Sequence, residues 1–169
     1  MKAPAWFSSS RRVGALVCDA FGDLFLLFFR VCWGWQFFVT GKGKLGHLGD
    51  IARYFDSLGI PAPDVNAAFV SSLECIGGLL LIVGLGARPV ALLLTISMTV
   101  AYVKADSDKF DTLEHFSAAA PFWFLLTTVL VVAFGPGRLS LDWLLSWLLG
   151  RKRAVAAADA PATAHVHAP

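Results

Sequence analysis

The chain has 169 residues, of which 57% are hydrophobic and 15% are charged, and its mean hydropathy is +0.67. A soluble domain carries about 25% charged residues, so this composition favours a single domain embedded in a lipid bilayer. The formal net charge is only +2. No basic stripe alternates with aromatic residues either, which excludes a nucleic-acid-binding module.

Four apolar stretches dominate the sequence. They cover about residues 20–40, 67–85, 88–105 and 116–134. A helix needs roughly 17–25 residues to cross a membrane, and the third stretch reaches that length only with its flanking residues. We therefore predict an all-α integral membrane protein, a four-helix bundle with one span for each stretch.

The first connection carries a helical pattern of its own, over about residues 44–58. Its apolar residues recur at steps of three or four and are Leu45, Leu48, Ile51, Phe55 and Leu58. This pattern predicts an amphipathic helix on the outer face of the membrane, between spans 1 and 2. The "GIPAP" segment ends that helix, because each proline biases the residue before it away from helix.

A second amphipathic segment follows span 4. "GPGR" breaks the span, and Ser140 is a suitable cap for a new helix over about 140–150. Its basic end, "RKR", suits an anionic membrane surface, so we predict a C-terminal interfacial helix. The membrane domain is then residues 1–153, and the Ala- and Pro-rich residues 154–169 form a disordered tail.

The distribution of basic residues predicts the orientation. Eight Lys and Arg residues lie at the N-terminus, in the turn between spans 2 and 3 and near the C-terminus, against five in the other two loops. The positive-inside rule places both termini in the cytoplasm. The N-terminus has no cleavage site after an apolar core. We expect an uncleaved, multi-pass protein of a bacterial-type cytoplasmic (inner) membrane.

Arg30 lies in the middle of the apolar stretch "LLFFRVCWGW". A lone Arg at mid-membrane costs from about 2.5 to more than 10 kcal/mol, so it needs a partner. Glu74 is the candidate in span 2, at a similar predicted depth, and Gly34 and Gly78 lie one turn from the two charges. We predict an intramembrane Arg30–Glu74 ion pair. It either locks two spans together or orients a small ligand.

Other polar residues are weaker candidates. His47 and His115 lie on the outer side, and His165 and His167 lie in the tail; each is a possible metal ligand. Gln36, in the outer half of span 1, is a possible ligand contact. No nucleophile–base set, phosphate loop or haem ligand pair is present, so no catalytic residue is predicted.

Several motifs together resemble one family. In chain order they are the Arg of span 1, an aromatic run leading to "GKGK", the "GIPAP" turn, "LECIGGLLLIVGLGAR" and "GPGRLSLD". This order resembles the DoxX family of small four-helix membrane proteins. The resemblance covers roughly residues 24–145 and carries the functional positions of the family to Arg30, Glu74 and either Lys42 or Lys44.

The resemblance implies a function in membrane redox chemistry. DoxX proteins are similar to the small membrane subunit of thiosulfate:quinone oxidoreductases, and some belong to oxidoreductase complexes. We therefore expect an accessory or quinone-interacting subunit, with the lipid bilayer and either a protein partner or a second copy as its partners. The alternatives are a role in metal (copper) handling or small-solute transport, and a purely structural scaffold. Thiol–disulfide catalysis is not expected, because the chain has no CxxC pair.

Overall fold

The computed structural model describes residues 5–105, 113–119 and 121–158. These residues form helices and no strand. The helices are α1 (Ala5–Leu45), α2 (Leu48–Ser57), α3 (Pro63–Val83), α4 (Ala87–Ala105), α5 (Leu113–Ala118), α6 (Pro121–Phe134) and α7 (Leu141–Ala158).

Within these ranges, three helices are long and apolar enough to cross a membrane: Ala20–Leu45 of α1, α3 and α4. They overlap the first three predicted apolar stretches and are candidate spans by their length and composition. The fourth predicted stretch, 116–134, is divided between α5 and α6, and α6 has only 14 residues. Pro121 begins α6, a position where its missing N–H costs no hydrogen bond.

The closest helix packing joins α1 to α3, which run antiparallel. Gly34 and Gly78 face each other at this contact. A Cβ atom on Gly78 would lie 2.5 Å from the backbone oxygen of Gly34 and 2.6 Å from the amide nitrogen of Phe38. The absence of side chains therefore allows the two backbones to touch, as in other membrane helix pairs.

Further contacts between helices complete a ring with α1 and α3. α4 packs against α3 and α6, and α6 also packs against α1. The side chains of Phe37 and Phe124 meet edge to face across the α1–α6 contact, with ring centroids 4.6 Å apart. The buried core lies inside this ring and contains Phe37, Leu81, Leu94, Met98 and Val131.

Two helix boundaries differ from the prediction. α1 continues to Leu45, five residues past the predicted end of span 1, so Lys42 and Lys44 lie on this helix. The glycines of "GKGK" do not end it, because Gly41 is held in backbone contact with Glu74 and Cys75 of α3. α7 continues to Ala158, five residues into the predicted tail, and residues 159–169 lie outside the described ranges.

Candidate functional site

Arg30 is fully buried, at 0% exposure. All of its identified hydrogen bonds are donated to backbone carbonyls. Its Nε donates to Leu81 O at 2.9 Å, and Nη2 donates to Ile82 O at 3.0 Å. Nη1 donates to the carbonyls of Pro136 and Leu139. The guanidinium thus joins the last carbonyls of α3, where the helix dipole favours a cation, to the loop before α7.

Asp142 forms hydrogen bonds with the backbone at the start of α4. Its carboxylate accepts from the amides of Gly86 and Ala87, at 2.8 and 2.9 Å. Its own amide donates to Gly84 O at 2.9 Å. Arg30 and Asp142 therefore fasten together the ends of α3, α4 and α7, and we name this region the α7 end of the bundle.

The predicted Arg30–Glu74 ion pair is wrong in this structure, because the two charges have different partners. Side chains of a helix lean toward its N-terminus, and α1 and α3 are antiparallel. Arg30 therefore leans toward the α7 end and Glu74 toward the opposite end. The carbonyls that Arg30 binds also lie seven and eight residues after Glu74, about 10 Å along α3.

Glu74 pairs with Lys44 instead. Lys44 Nζ lies 2.6 Å from Glu74 Oε1, and the Thr40 hydroxyl lies 3.5 Å from Oε2. The Glu74 side chain is 1% exposed and that of Lys44 is 33% exposed. The carboxylate is therefore enclosed by protein, while the ammonium keeps access to the surroundings. We name this region, where α1 meets α2, the α2 end.

A cavity of about 410 Å³ opens beside this ion pair. Lys44 and Glu74 line it on one side, and α2 contributes an apolar face of Ile51, Tyr54, Phe55 and the adjoining Leu58. α3 and α4 supply most of the remaining wall, and its polar groups are few, chiefly Asn66, Ser97 and Lys104. A volume of this size, an apolar wall and a small polar cluster are typical of a small-molecule site.

Part of the cavity wall belongs to the lipid-facing surface. Phe69 of α3 and Leu93, Ile96 and Val100 of α4 line the cavity and are also exposed. Exposed apolar side chains on helices of spanning length face acyl chains in a bilayer. Lipid-facing apolar side chains and the Lys44–Glu74 ion pair therefore line the same cavity.

Of the three predicted ligand contacts, only Lys44 reaches this cavity. Lys42 is exposed on the other side of α1. Gln36 is also exposed and lines a separate groove of about 320 Å³ between α1 and α6, with Cys32, Trp33 and Trp123 among its neighbours. The structure therefore does not bring Gln36 and Lys42 to the ion pair.

Two of the four histidines, His47 and His115, lie within the described residues. His47 lies in the turn between α1 and α2, with Nδ1 3.1 Å from Gly43 O, and His115 lies on α5. Across ranges 5–105, 113–119 and 121–158, no three His, Cys, Asp or Glu residues are placed to hold a metal ion. His165 and His167 lie outside these ranges.

Comparison with known proteins adds the family. The DoxX family model matches residues 25–107, which include both Arg30 and Glu74. An uncharacterized protein of Haemophilus influenzae is 30% identical over 134 residues, covering 73% of this chain and 89% of the relative. The chain belongs to the DoxX family. A Bacillus subtilis relative named "Putative oxidoreductase CatD" is 29% identical over 116 residues, covering 69% of this chain and 83% of that protein. No solved structure matches.

DoxX membership and three apolar helices of spanning length indicate a multi-pass membrane protein. Sequence reasoning missed two functional positions in this DoxX chain: Lys44 as the partner of Glu74, and Asp142 as the cap of α4. The direction in which side chains lean along a helix was the signal that could have indicated Lys44 as the partner of Glu74. Asp142, the second residue of α7, gave no comparable signal, because the amides that donate to its carboxylate lie 55 and 56 residues away in the sequence.

Proposed function

We propose that this DoxX protein is an accessory, quinone-interacting subunit of a membrane redox system. One observation carries the proposal: an apolar cavity of about 410 Å³ that is bordered by lipid-facing side chains and has the Lys44–Glu74 ion pair in its wall. Quinones move within the bilayer, so a site with lipid-facing side chains in its wall suits them. The name of the Bacillus subtilis relative supports a redox role without assigning one to this chain.

The polar part of the cavity suits a quinone head group. An ammonium group has three N–H donors, and Lys44 gives one of them to Glu74. The remaining donors are able to bind a quinone carbonyl, which accepts hydrogen bonds and carries no charge. The Phe55 and Tyr54 rings of α2 border the same space and suit contact with a flat ring.

The membrane arrangement is part of the proposal. α5 and α6 together act as the fourth span and complete a four-helix bundle, which the contacts of α6 with α1 and α4 support. α2 and α7 lie at opposite membrane surfaces as interfacial helices, and residues 1–153 form one membrane domain. With both termini in the cytoplasm of a bacterial-type cell, the cavity lies in the outer half of the inner membrane.

The electron carrier in this proposal belongs to a partner. The electrons that reduce a bound quinone to a quinol have to come from a redox centre on another subunit, because the proposed role of this chain is to bind and present the quinone. The bilayer and a redox protein, or a complex that contains a second copy of this chain, are the proposed partners. No catalytic residue is assigned to the chain.

The test is purification in native lipid, with polymer nanodiscs, followed by extraction of quinone and identification of co-purified proteins. Ala101→Phe should fill the cavity and lower the quinone content per chain by about tenfold, because Ala101 lines it. Ala133→Phe is the matched control, since Ala133 is exposed on α6, away from the cavity. A wild-type protein that carries neither quinone nor a partner would refute the proposal.

A further inference from the structure

The charges of the cavity are arranged so that its enclosed part is neutral. Among the residues that the structure describes, the charged lining residues are Lys44, Glu74 and Lys104. Lys44 and Glu74 are in contact at 2.6 Å and cancel each other. Lys104 lies in the last turn of α4 and is exposed, so water and salt screen its charge.

A charged head group would upset this balance. An anion placed at the pair would approach the Glu74 carboxylate, which is 1% exposed and therefore only weakly screened by solvent. A cation would compete with Lys44 for the same carboxylate and leave the ammonium without its counter-ion. Either arrangement leaves one net charge in a mainly apolar cavity, which is costly.

An uncharged acceptor meets neither penalty. It takes a hydrogen bond from Lys44 while the ion pair stays intact, and its tail lies along apolar side chains such as Leu73 and Ile96. We propose that the Lys44–Glu74 ion pair makes this cavity selective for amphiphiles with an uncharged, hydrogen-bond-accepting head group. This inference rests on the quinone-binding role proposed above and adds the rule by which the site rejects other membrane amphiphiles.

The selection is tested with three amphiphiles of similar tail length: a decyl-substituted benzoquinone, dodecanoate and dodecylammonium. The full chain is placed in phosphatidylcholine nanodiscs, and native mass spectrometry counts each ligand per chain, with empty nanodiscs as the blank. We expect the wild type to bind the quinone about tenfold more tightly than either ion, and to bind it at one per chain. Dodecanoate or dodecylammonium bound as well as the quinone would overturn the selection rule while leaving quinone binding in place.

Variants of the pair should change the preference in opposite directions. Glu74→Gln leaves the Lys44 charge uncompensated, so it should raise dodecanoate binding by about tenfold. Lys44→Gln should raise dodecylammonium binding instead. Lys42→Gln is the matched control and should leave the order of the three amphiphiles unchanged, because Lys42 is exposed on the other side of α1 and does not line the cavity.

The neutral double variant is a control for the case in which the single variants misfold. Lys44→Gln combined with Glu74→Gln keeps the cavity uncharged, so its preference for the quinone over both ions should persist. A double variant that prefers either ion would overturn the inference. Absence of all quinone binding in the wild type would refute the proposed function itself, and the inference with it.

Discussion

Lys44 and Glu74 join α1 to α3 at the α2 end, through a contact of 2.6 Å between Nζ and Oε1. Arg30 joins the same two helices at the α7 end, through the carbonyls of Leu81 and Ile82. Gly34 and Gly78 lie between these two polar contacts and bring the backbones together. The α1–α3 pair is therefore fixed at three levels, and the cavity opens at only one of them. This separation allows the polar contacts to be tested independently.

Replacing Arg30 should weaken the α7 end. Arg30→Met removes the donors to four backbone carbonyls, and the apolar Met side chain cannot replace them. We expect the free energy of unfolding in detergent micelles to fall by about 2–4 kcal/mol. Arg138→Met is the control, because Arg138 is exposed, and should change it by less than about 0.5 kcal/mol. Equal losses in the two variants would contradict a special role for the Arg30 carbonyl contacts.

Separating α1 from α3 should destabilise the protein in a way that depends on position. Gly78→Ala introduces a methyl group 2.5 Å from Gly34 O, so the helices have to move apart, at a cost of about 1–3 kcal/mol. Gly43→Ala is a matched change on α1 with no atom within 4 Å of the new methyl group. It should stabilise the helix by about 0.5–1 kcal/mol. Thermal unfolding measures the stability of both variants against the wild type. A Gly78→Ala protein as stable as the wild type would contradict the close contact between α1 and α3.

A double-mutant cycle should show that Lys44 and Glu74 are coupled. Lys44→Gln leaves a carboxylate that is 1% exposed without its cation, which should cost about 1–3 kcal/mol of stability. Adding Glu74→Gln removes that buried charge, so the double variant should recover to within about 1 kcal/mol of the wild type. Chemical unfolding of the four proteins in the cycle measures the coupling. Strictly additive losses would mean that the two side chains do not interact.

The cap on α4 should be detectable at two amides. Asp142→Ala removes the acceptor for the N–H groups of Gly86 and Ala87, at a cost of about 0.5–2 kcal/mol. Hydrogen exchange at these amides should become faster, while exchange in the middle of α3 stays unchanged. Ser146→Ala is the control, because that hydroxyl bonds only within its own helix, to Trp143 O. Unchanged exchange at Gly86 and Ala87 in Asp142→Ala would argue against the cap.

The sequence predicted local features well. Long apolar stretches predicted three helices that are long enough to cross a membrane, although α3 begins at Pro63, before the predicted residue 67. The sequence also predicted correctly that a buried Arg needs partners, since Arg30 donates to several backbone carbonyls. The end of α1 was predicted too early, because the glycines of "GKGK" weaken a helix in isolation and only the contact of Gly41 with α3 holds it.

By itself, the sequence indicated that this chain is helical and embedded in a bilayer, because of its composition and the periodicity within single segments. The order of its motifs also indicated the DoxX family. Only the tertiary structure decided which groups the two charges meet. Side-chain direction and the glycine contacts between α1 and α3 set the relative height of Arg30 and Glu74. The carbonyls that Arg30 binds on α3 lie about two helical turns from Glu74, so the two charges have different partners. Arg30 binds the carbonyls of the α7 end, and Glu74 pairs with Lys44 beside the cavity.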